Sequence, residues 1–154
     1  MSDDDFTDFF GDAEPRLRRA LVAAYGPDRG REAAAEALTY AWQHWPRVKN
    51  MTNPVGYLYR VGQSKSRRRR RAPVFPTTPG SDEPWHEPGL PEALNRLTER
   101  ERAAVVLIEG YGWTYREVAE TVGVARSSVQ VYFERGLAKL RASLGVRTGE
   151  AGNE

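Results

Sequence analysis

The sequence predicts an all-α protein in which two small helical domains are joined by a proline-rich linker. Three observations support this prediction. Apolar residues recur at helical spacing in both halves of the 154-residue chain, six of the ten prolines lie between residues 72 and 91, and two capping boxes mark helix starts in the C-terminal half. With 40% hydrophobic residues, the chain can build two modest helical cores more readily than one large core.

The predicted domain boundaries follow from the prolines. Because proline lacks a backbone N–H, neither a helix nor a central strand should persist through residues 72–89, and this segment is expected to be an extended linker that holds its neighbours apart. The first domain is predicted at residues 12–71 and is expected to contain three helices. The second domain is predicted at residues 90–146. The acidic residues 1–11 and the polar residues 147–154 are expected to be flexible tails.

The first two helices are predicted from apolar spacing and from residues that stop helices. The first helix has apolar residues at four-residue spacing from Leu17 to Tyr25 and stops at Gly26. The second helix is expected to begin at the N-cap Asp28 and to end at Pro46. Its apolar seam is predicted to contain Ala34, Leu38, Ala41, Trp42 and Trp45.

A third helix is predicted from the pair Asn53-Pro54. Asn53 would cap this helix and Pro54 would occupy its first turn. Val55, Leu58 and Val61 would then face inward. The helix ends in the arginine run 67–71, whose positive charge suits a helix C-terminus.

Two capping boxes define the second domain. Residues 98–101 and 114–117 each pair a threonine with a glutamate three positions later, and they predict helices over 99–109 and 115–122. Gly123 is expected to take the left-handed conformation after the second of these helices, and Ser127-Ser128 to cap a last helix. That helix would bury one stripe, formed by Val129, Phe133, Leu137, Leu140 and Leu144. The spacing predicts a helix-turn-helix.

A helix-turn-helix presents the first residues of its second helix to the major groove of DNA. Here those residues include arginine, serine, glutamine and valine, which suit contacts with phosphate, adenine and the thymine methyl group. The expected contacts with duplex DNA are Arg116, Arg126, Ser127, Ser128, Gln130, Val131, Arg135 and Lys139. A protein-interaction module of the same shape is the alternative, because residues 92–154 carry no net charge.

Charge is distributed unevenly along the chain. Residues 1–14 carry six acids and no base, whereas residues 15–71 carry 14 bases against three acids. The basic segment indicates a polyanion binder, because neutralising phosphates releases condensed counterions, although such runs also occur as solvated faces. We hypothesise that the acidic tail competes with nucleic acid for this basic surface. Asn50, Asn53 and Tyr57 are candidates for single-stranded base contacts, whereas Trp42 and Trp45 are expected in the core.

The sequence argues against enzymatic function. The chain has no cysteine, which excludes disulfides and thiolate metal sites. Asp3, Asp4 and Asp5 are contiguous and His44 and His86 lie far apart, so neither set has the spacing of metal ligands. We therefore expect no enzymatic activity, no cofactor and no metal. The acidic N-terminus and the lack of a long apolar run indicate a cytoplasmic protein without a membrane partner.

Three stretches resemble the extracytoplasmic-function sigma factors. The segment LPEALNRLTERERAAVVLIEGYGWTYREVAETVGVARSSVQVYFERGLAKLRASL resembles their region four, and EALTYAW and GYLYRVGQS resemble parts of their region two. The resemblance implies that region two binds the clamp of core RNA polymerase and opens promoter DNA, while region four binds the upstream promoter element as duplex. It also implies an anti-sigma factor as a further candidate partner.

Residue roles implied by this resemblance are assigned by position. Glu32 and Glu36 would face RNA polymerase, and the residues from Arg126 to Arg135 would face the upstream element. The melted strand or its backbone would be bound by Lys49, Asn50, Asn53, Tyr57, Arg60, Arg67, Arg68 and Arg69.

The sequence departs from the family in two places. Ala35 stands where the polymerase-facing helix of the family usually has a glutamine. Gln130, Val131 and Tyr132 replace residues that are commonly basic or small and polar. The alternative function is therefore a non-sigma helix-turn-helix regulator, a repressor or co-regulator that binds DNA without supporting initiation.

Overall fold

A computed structural model of the protein describes residues 2–67 and 89–152, with side chains described for residues 4–67 and 89–145. Every regular element in these ranges is helical, which confirms the predicted all-α class. The N-terminal elements are α1 (Ser2–Tyr25), α2 (Pro27–Gln43), α3 (Trp45–Val48) and α4 (Pro54–Arg67). The C-terminal elements are α5 (Leu90–Asn95), α6 (Glu99–Val105), a π-helical turn (Val106–Gly110), α7 (Tyr115–Val122) and α8 (Arg126–Gly152).

The predicted linker, residues 72–89, lies outside the described residues except for Gly89, which is the N-cap of α5. The arginine run beyond residue 67 lies outside them too, so the placement of Arg68 and Arg69 stays a prediction.

The N-terminal helix is longer than the sequence predicted. Residues 2–11 were expected to form a flexible tail, but they are the first turns of α1. Phe6 and Phe9 lie on one face of α1 and pack against Trp45, with ring centroids 5.4 and 5.1 Å from it. Acidic residues near a helix N-terminus interact favourably with the helix dipole, so the acidic sequence supports this helix. The tail at residues 147–154 is likewise helical, as part of α8, up to Gly152.

The junction between α1 and α2 differs from the prediction in its cap. Gly26, with φ of 87°, is the N-cap of α2, and Pro27 occupies the first turn, so Asp28 is not the cap. The two helices approach closely at Gly30, where an added Cβ would lie 2.4 Å from the Cα of Val22. Only glycine fits this crossing.

The second helix ends earlier than predicted, at Gln43, and the short α3 follows. Trp45 is buried as expected, but the prediction that Trp42 belongs to the core was wrong, because it is 49% exposed. The ring of Trp42 instead makes an edge contact with Phe6, at 5.0 Å between centroids. At the start of α4 the prediction is confirmed, since the Asn53 Oδ1 accepts a hydrogen bond from the N–H of Gly56 at 3.1 Å.

Helices from both halves of the chain share one core. Leu17, Leu21 and Leu58 from the N-terminal unit lie in the same buried cluster as Leu107 and Val118 from the C-terminal unit. A smaller cluster joins α5 to α6 and α8. The two predicted units are therefore packed together in the structure, rather than held apart.

Candidate nucleic-acid interface

The helix-turn-helix is built as its capping residues dictate. The Thr114 Oγ1 accepts a hydrogen bond from the N–H of Glu117 at 3.0 Å, and the Glu117 carboxylate accepts one from the N–H of Thr114 at 3.1 Å. The same reciprocal pair between Thr98 and Glu101 starts α6. Both predicted capping boxes are confirmed.

The turn between α7 and α8 has the left-handed residue that the sequence predicted. Gly123 has φ of 79° and ψ of 39°, and its N–H and that of Val124 both donate to the carbonyl of Ala119. The last helix then begins at Arg126, so Ser127 and Ser128 lie in its first turn and do not cap it as expected. The turn breaks the helix and redirects the chain.

The first turns of α8 present the predicted duplex-binding residues to solvent. Val129 is buried against the core, and this fixes which face of the helix turns outward. Arg126, Ser127 and Gln130 are exposed, and Val131 is 41% exposed. Ser128 is half-buried. Polar and apolar groups that can contact base edges therefore lie together on an open helix face.

Two of the predicted DNA-binding side chains, Arg116 and Gln130, form weak interactions with neighbouring surface residues. The Arg116 Nε lies 3.1 Å from a carboxylate oxygen of Glu120, and the Gln130 amide donates to Glu134 at 3.1 Å. Exposed pairs of this kind contribute little to stability, so both side chains can exchange these partners for DNA at small cost. Arg135 is exposed on the same helix.

Lys139 has a different environment from the other predicted contacts. Its Nζ lies 2.7 Å from a carboxylate oxygen of Glu101, whose side chain is only 6% exposed. Burial raises the pKa of Glu101, but the hydrogen bonds from Lys139 and Thr98 outweigh burial and lower that pKa overall. Lys139 thus links α8 to α6, and its role in DNA binding stays a prediction.

An aromatic and basic cluster lies beside the loop before α4. The Arg47 guanidinium donates to the Tyr57 hydroxyl at 2.9 Å and also to that of Tyr40, and the two hydroxyls lie 3.1 Å apart. The imidazole of His44 stacks on Tyr40 with centroids 4.1 Å apart. The sequence pointed to Tyr57 but missed Tyr40, His44 and Arg47 as members of this cluster. The i, i+4 spacing of Tyr40, on α2, and His44, at its C-cap, was the available signal.

The remaining predicted single-strand contacts divide into two groups. Lys49 and Asn50 are exposed, and the Asn50 amide donates to the carbonyl of Pro46. Asn53, Arg60 and Arg67 instead contact the C-terminal unit. The Asn53 amide donates to the carbonyl of Glu120 at 2.7 Å, Arg60 donates to the carbonyl of Gly123 at 3.2 Å, and Arg67 pairs with Glu99 at 3.1 Å.

An open cleft lies where these two units meet. Its volume is about 450 Å³, and arginines from both units line it, namely Arg60, Arg67 and Arg100. The hydroxyl of Tyr25 donates to Glu99 at 2.9 Å near this junction, and burial together with the Glu99 charge raises the pKa of Tyr25 far above its ordinary value. The tyrosine therefore stays protonated as a donor.

The two glutamates expected to face RNA polymerase lie on α2. Glu32 is exposed and Glu36 is half-buried, with the exposed Ala35 between them. Within the part of the chain whose side chains are described, no three acidic, histidine or cysteine side chains lie close enough to hold a metal ion. None of the described helices has the length and apolar character needed to cross a membrane.

Comparison with known proteins gives a family match for the C-terminal unit and a structural match for most of the chain. Residues 89–140 match the family model of sigma-70, region 4. No curated protein matches the chain closely enough to count as a relative. The chain is similar in structure to the sigma factor RpoE of Bartonella quintana, from its co-crystal structure with the anti-sigma factor NepR. The TM-score is 0.63 at 20% sequence identity, over 92% of this chain and 98% of that chain.

The two matches agree with the geometry of the site. The region 4 match covers both capping boxes, the turn at Gly123 and the exposed face of α8, and the structural match extends the sigma-factor fold to the N-terminal helices. The C-terminal unit therefore matches sigma-70, region 4 in sequence, and the chain is similar in fold to a sigma factor.

Proposed function

We propose that this protein is a sigma factor of the extracytoplasmic-function family, which binds core RNA polymerase in the cytoplasm, recognises promoter DNA and directs transcription initiation. The observation that carries the proposal is the exposed leading face of α8, held outward by the turn at Gly123. A helix presented in this way reaches the major groove, whose base edges differ for each base pair. We further propose that residues 90–146 act as the upstream-element domain and residues 12–71 as the polymerase-binding and melting domain.

Within the N-terminal unit, the proposed strand contacts centre on the cluster at Tyr57. Its phenol ring lies beside Arg47, whose guanidinium is 5.9 Å from the ring centroid. Aromatic rings next to arginine suit unstacked bases and their phosphates. The exposed Lys49 and Asn50 extend this surface. The duplex contacts proposed for α8 are Arg126, Ser127, Ser128, Gln130, Val131 and Arg135, with Arg116 beside them on α7.

Polymerase binding is assigned to the outer face of α2, through Glu32 and Glu36. An anti-sigma factor is a further proposed partner, because the structurally similar Bartonella quintana protein was crystallised with one. The exposed Ala35 between the two glutamates favours a second candidate function, in which the chain binds DNA as a repressor or co-regulator without engaging polymerase. We propose no catalytic activity and no cofactor for either candidate.

Run-off transcription from a randomised promoter pool, with purified core polymerase, tests the proposal. Transcripts should share an upstream motif and should require the chain. The variant Gln130→Ala should change or weaken that motif, whereas Arg18→Ala, on the distant α1, should not. DNA binding without transcripts, together with failure to retain core polymerase in a pull-down, would support the repressor instead.

A further inference from the structure

The side chain of Arg100 reaches from α6 to the last helix. Its Nη1 donates a hydrogen bond to the hydroxyl of Tyr132 at 2.9 Å, and its guanidinium carbon lies 5.7 Å from the centroid of the same ring. Arg100 is exposed, and Tyr132 is half-buried on α8. The tyrosine therefore contacts the guanidinium in two ways, through its ring and through its hydroxyl.

This contact brings a positive charge to a part of α8 whose own sequence has none. Residues 127–134 contain no arginine or lysine, and they separate Arg126 from Arg135 by nine positions, or about 14 Å along the helix. Tyr132 lies within this interval. The guanidinium of Arg100 thus lies against the part of the proposed duplex-binding helix that lacks a base of its own.

The neighbours of Tyr132 on α8 are residues to which duplex contacts are already assigned. Ser128 precedes Tyr132 by four positions and Arg135 follows it by three, so the three side chains lie along one edge of the helix. Arg135 is exposed and Ser128 is half-buried. The contact with Tyr132 therefore adds the charge of Arg100 to the edge of the proposed duplex-binding surface.

Helix stability does not favour a cation at the position of Arg100. It is the second residue of α6, and a positive charge in the first turn interacts unfavourably with the helix dipole. An exposed arginine also has many side-chain conformations, and a ligand that binds it must restrict them. Because Tyr132 already holds Arg100 in one conformation, part of this entropic cost is met before a ligand binds.

The donors of the guanidinium indicate the class of ligand. The hydroxyl of Tyr132 accepts from one of five N–H groups, and the planar arrangement of these groups suits a pair of phosphate oxygens. Residues 92–154 carry no net charge, so their attraction to DNA depends on where individual bases lie. A base held at the edge of α8 suits the phosphate backbone beside the groove.

From these contacts we propose that Arg100 binds a phosphate of the upstream duplex and that Tyr132 is its positioning residue. In this arrangement α6 supplies the cation that α8 lacks between Arg126 and Arg135. The proposal rests on the proposed function, because it requires that α8 binds duplex DNA.

The salt dependence of duplex binding tests the phosphate contact. The probe is a duplex recovered from the promoter pool, and the full chain is titrated by fluorescence anisotropy over a salt series. Arg100→Ala should reduce the slope of log Kd against log salt by about 1 and weaken binding about fivefold at about 0.1 M salt, alike for all sequences. The matched control is Arg96→Ala, which removes an exposed arginine at the end of α5 and should change neither value.

Variants of Tyr132 test its positioning role. Tyr132→Phe removes the acceptor hydroxyl but keeps the ring, and we expect binding to weaken about two- to threefold. Tyr132→Ala removes both contacts and should weaken binding about as much as Arg100→Ala does. The double variant should bind no more weakly than either single variant, because both changes remove the same contact. Circular dichroism spectra show that the variants are folded.

A compensating variant distinguishes a DNA contact from a purely structural contact. Tyr132→Arg combined with Arg100→Ala should restore the slope to that of the wild-type chain, because α8 then carries the base itself. The ring and its hydroxyl are absent from this variant, so a purely structural pair predicts no rescue.

Three outcomes would overturn the proposal, and they are distinguishable. Duplex binding by the wild-type chain with an unchanged slope for Arg100→Ala contradicts the phosphate contact and leaves the proposed function intact. Equal losses from Tyr132→Ala in the presence and absence of Arg100 contradict the positioning role. If the wild-type chain neither binds duplexes from the pool nor directs transcription, the proposed function fails and this proposal fails with it.

Discussion

The Arg102 Nε donates a hydrogen bond to the backbone carbonyl of Ala24 at 2.8 Å, and this bond joins the start of α6 to the end of α1. The guanidinium also donates to the carbonyls of Leu94 and Leu97, at 3.1 and 3.0 Å, and the residue is only 4% exposed. Burial lowers the pKa of Arg102, yet arginine keeps its charge in proteins. A buried cation therefore satisfies three carbonyls from both units.

Replacing this arginine should destabilise the whole fold. Arg102→Met keeps much of the side-chain length but leaves three buried carbonyls without a donor, and we expect the free energy of unfolding to fall by about 3 kcal/mol. Arg96→Met, at an exposed position nearby, should change it by no more than about 0.5 kcal/mol. Urea denaturation followed by circular dichroism measures both. Similar losses for the two variants would contradict the role of the buried guanidinium.

The ion pair between Glu101 and Lys139 makes stability depend on pH. Because the folded-state pKa of Glu101 is lowered, its carboxylate stabilises the fold above its unfolded pKa of about 4.3, and this contribution is lost as pH falls through the lower folded pKa. Glu101→Gln should therefore cost about 1–2 kcal/mol at pH 7 and progressively less below about pH 4. Glu109→Gln, at an exposed position, is the control. A loss for Glu101→Gln that is constant from pH 7 to pH 3 would count against the ion pair.

Local sequence rules predicted the helix-turn-helix well. The capping boxes at Thr98 and Thr114 and the left-handed Gly123 depend on residues a few positions apart, so their spacing was sufficient. The contact between Asn53 and Glu120 joins residues 67 positions apart, so local spacing could not predict it. The sequence identified Asn53 as a helix cap, which is its local role, and missed the second partner of the same amide.

The N-terminal helix also depends on a contact between residues that are far apart in the sequence. Six acids in the first 14 residues favoured a flexible tail, because low hydrophobicity with high charge is typical of disorder. Phe6 and Phe9 are the reason that the segment forms a helix, since they find Trp45 more than 30 positions away. Two aromatic residues three positions apart in an acidic segment predict a helix only when the distant residue that they pack against is known.

Removing one of these aromatic contacts should loosen α1. Phe6 is half-buried and touches Trp42 and Trp45, whereas Phe10 is 43% exposed. We expect Phe6→Ala to lower the free energy of unfolding by about 2 kcal/mol and Phe10→Ala by less than about 1 kcal/mol, in proportion to the apolar area buried. Chemical denaturation of the two variants makes the comparison. Equal losses would indicate that the first turns of α1 do not pack on Trp45.

Measurements of duplex binding should distinguish residues of α8 that contact phosphates from residues that contact bases. Arg126→Ala and Arg135→Ala should each reduce the slope of log Kd against log salt by about 1 and weaken all sequences alike. Gln130→Ala should instead leave the slope unchanged and lower discrimination at one base pair by about 1–3 kcal/mol. Fluorescence anisotropy over a salt series provides the slopes, with Arg18→Ala as the charge control. If Arg18→Ala alters the slope as much as the α8 variants do, binding does not use this helix.

The close crossing of α8 over α6 predicts that a glycine-to-alanine substitution in α8 changes the free energy of unfolding in opposite directions at two positions. At Gly136 an added Cβ would lie 2.7 Å from the Val105 Cγ2 and 3.1 Å from the carbonyl oxygen of Glu101, whereas at Gly145 it would meet nothing within 4 Å. Gly136→Ala should therefore cost about 1–3 kcal/mol by overpacking, while Gly145→Ala should gain about 0.5–1 kcal/mol from helix propensity.

A double-mutant cycle with Val105→Ala then separates side-chain crowding from backbone crowding. Removing the Val105 methyl groups should relieve part of the loss caused by Gly136→Ala, with a coupling of about 0.5–1 kcal/mol between the two positions. The Glu101 carbonyl cannot move away without shifting α6, so relief should be incomplete. Thermal unfolding of the two single variants and the double variant gives the coupling. Stabilisation by Gly136→Ala alone would mean that α6 and α8 lie farther apart than this packing requires.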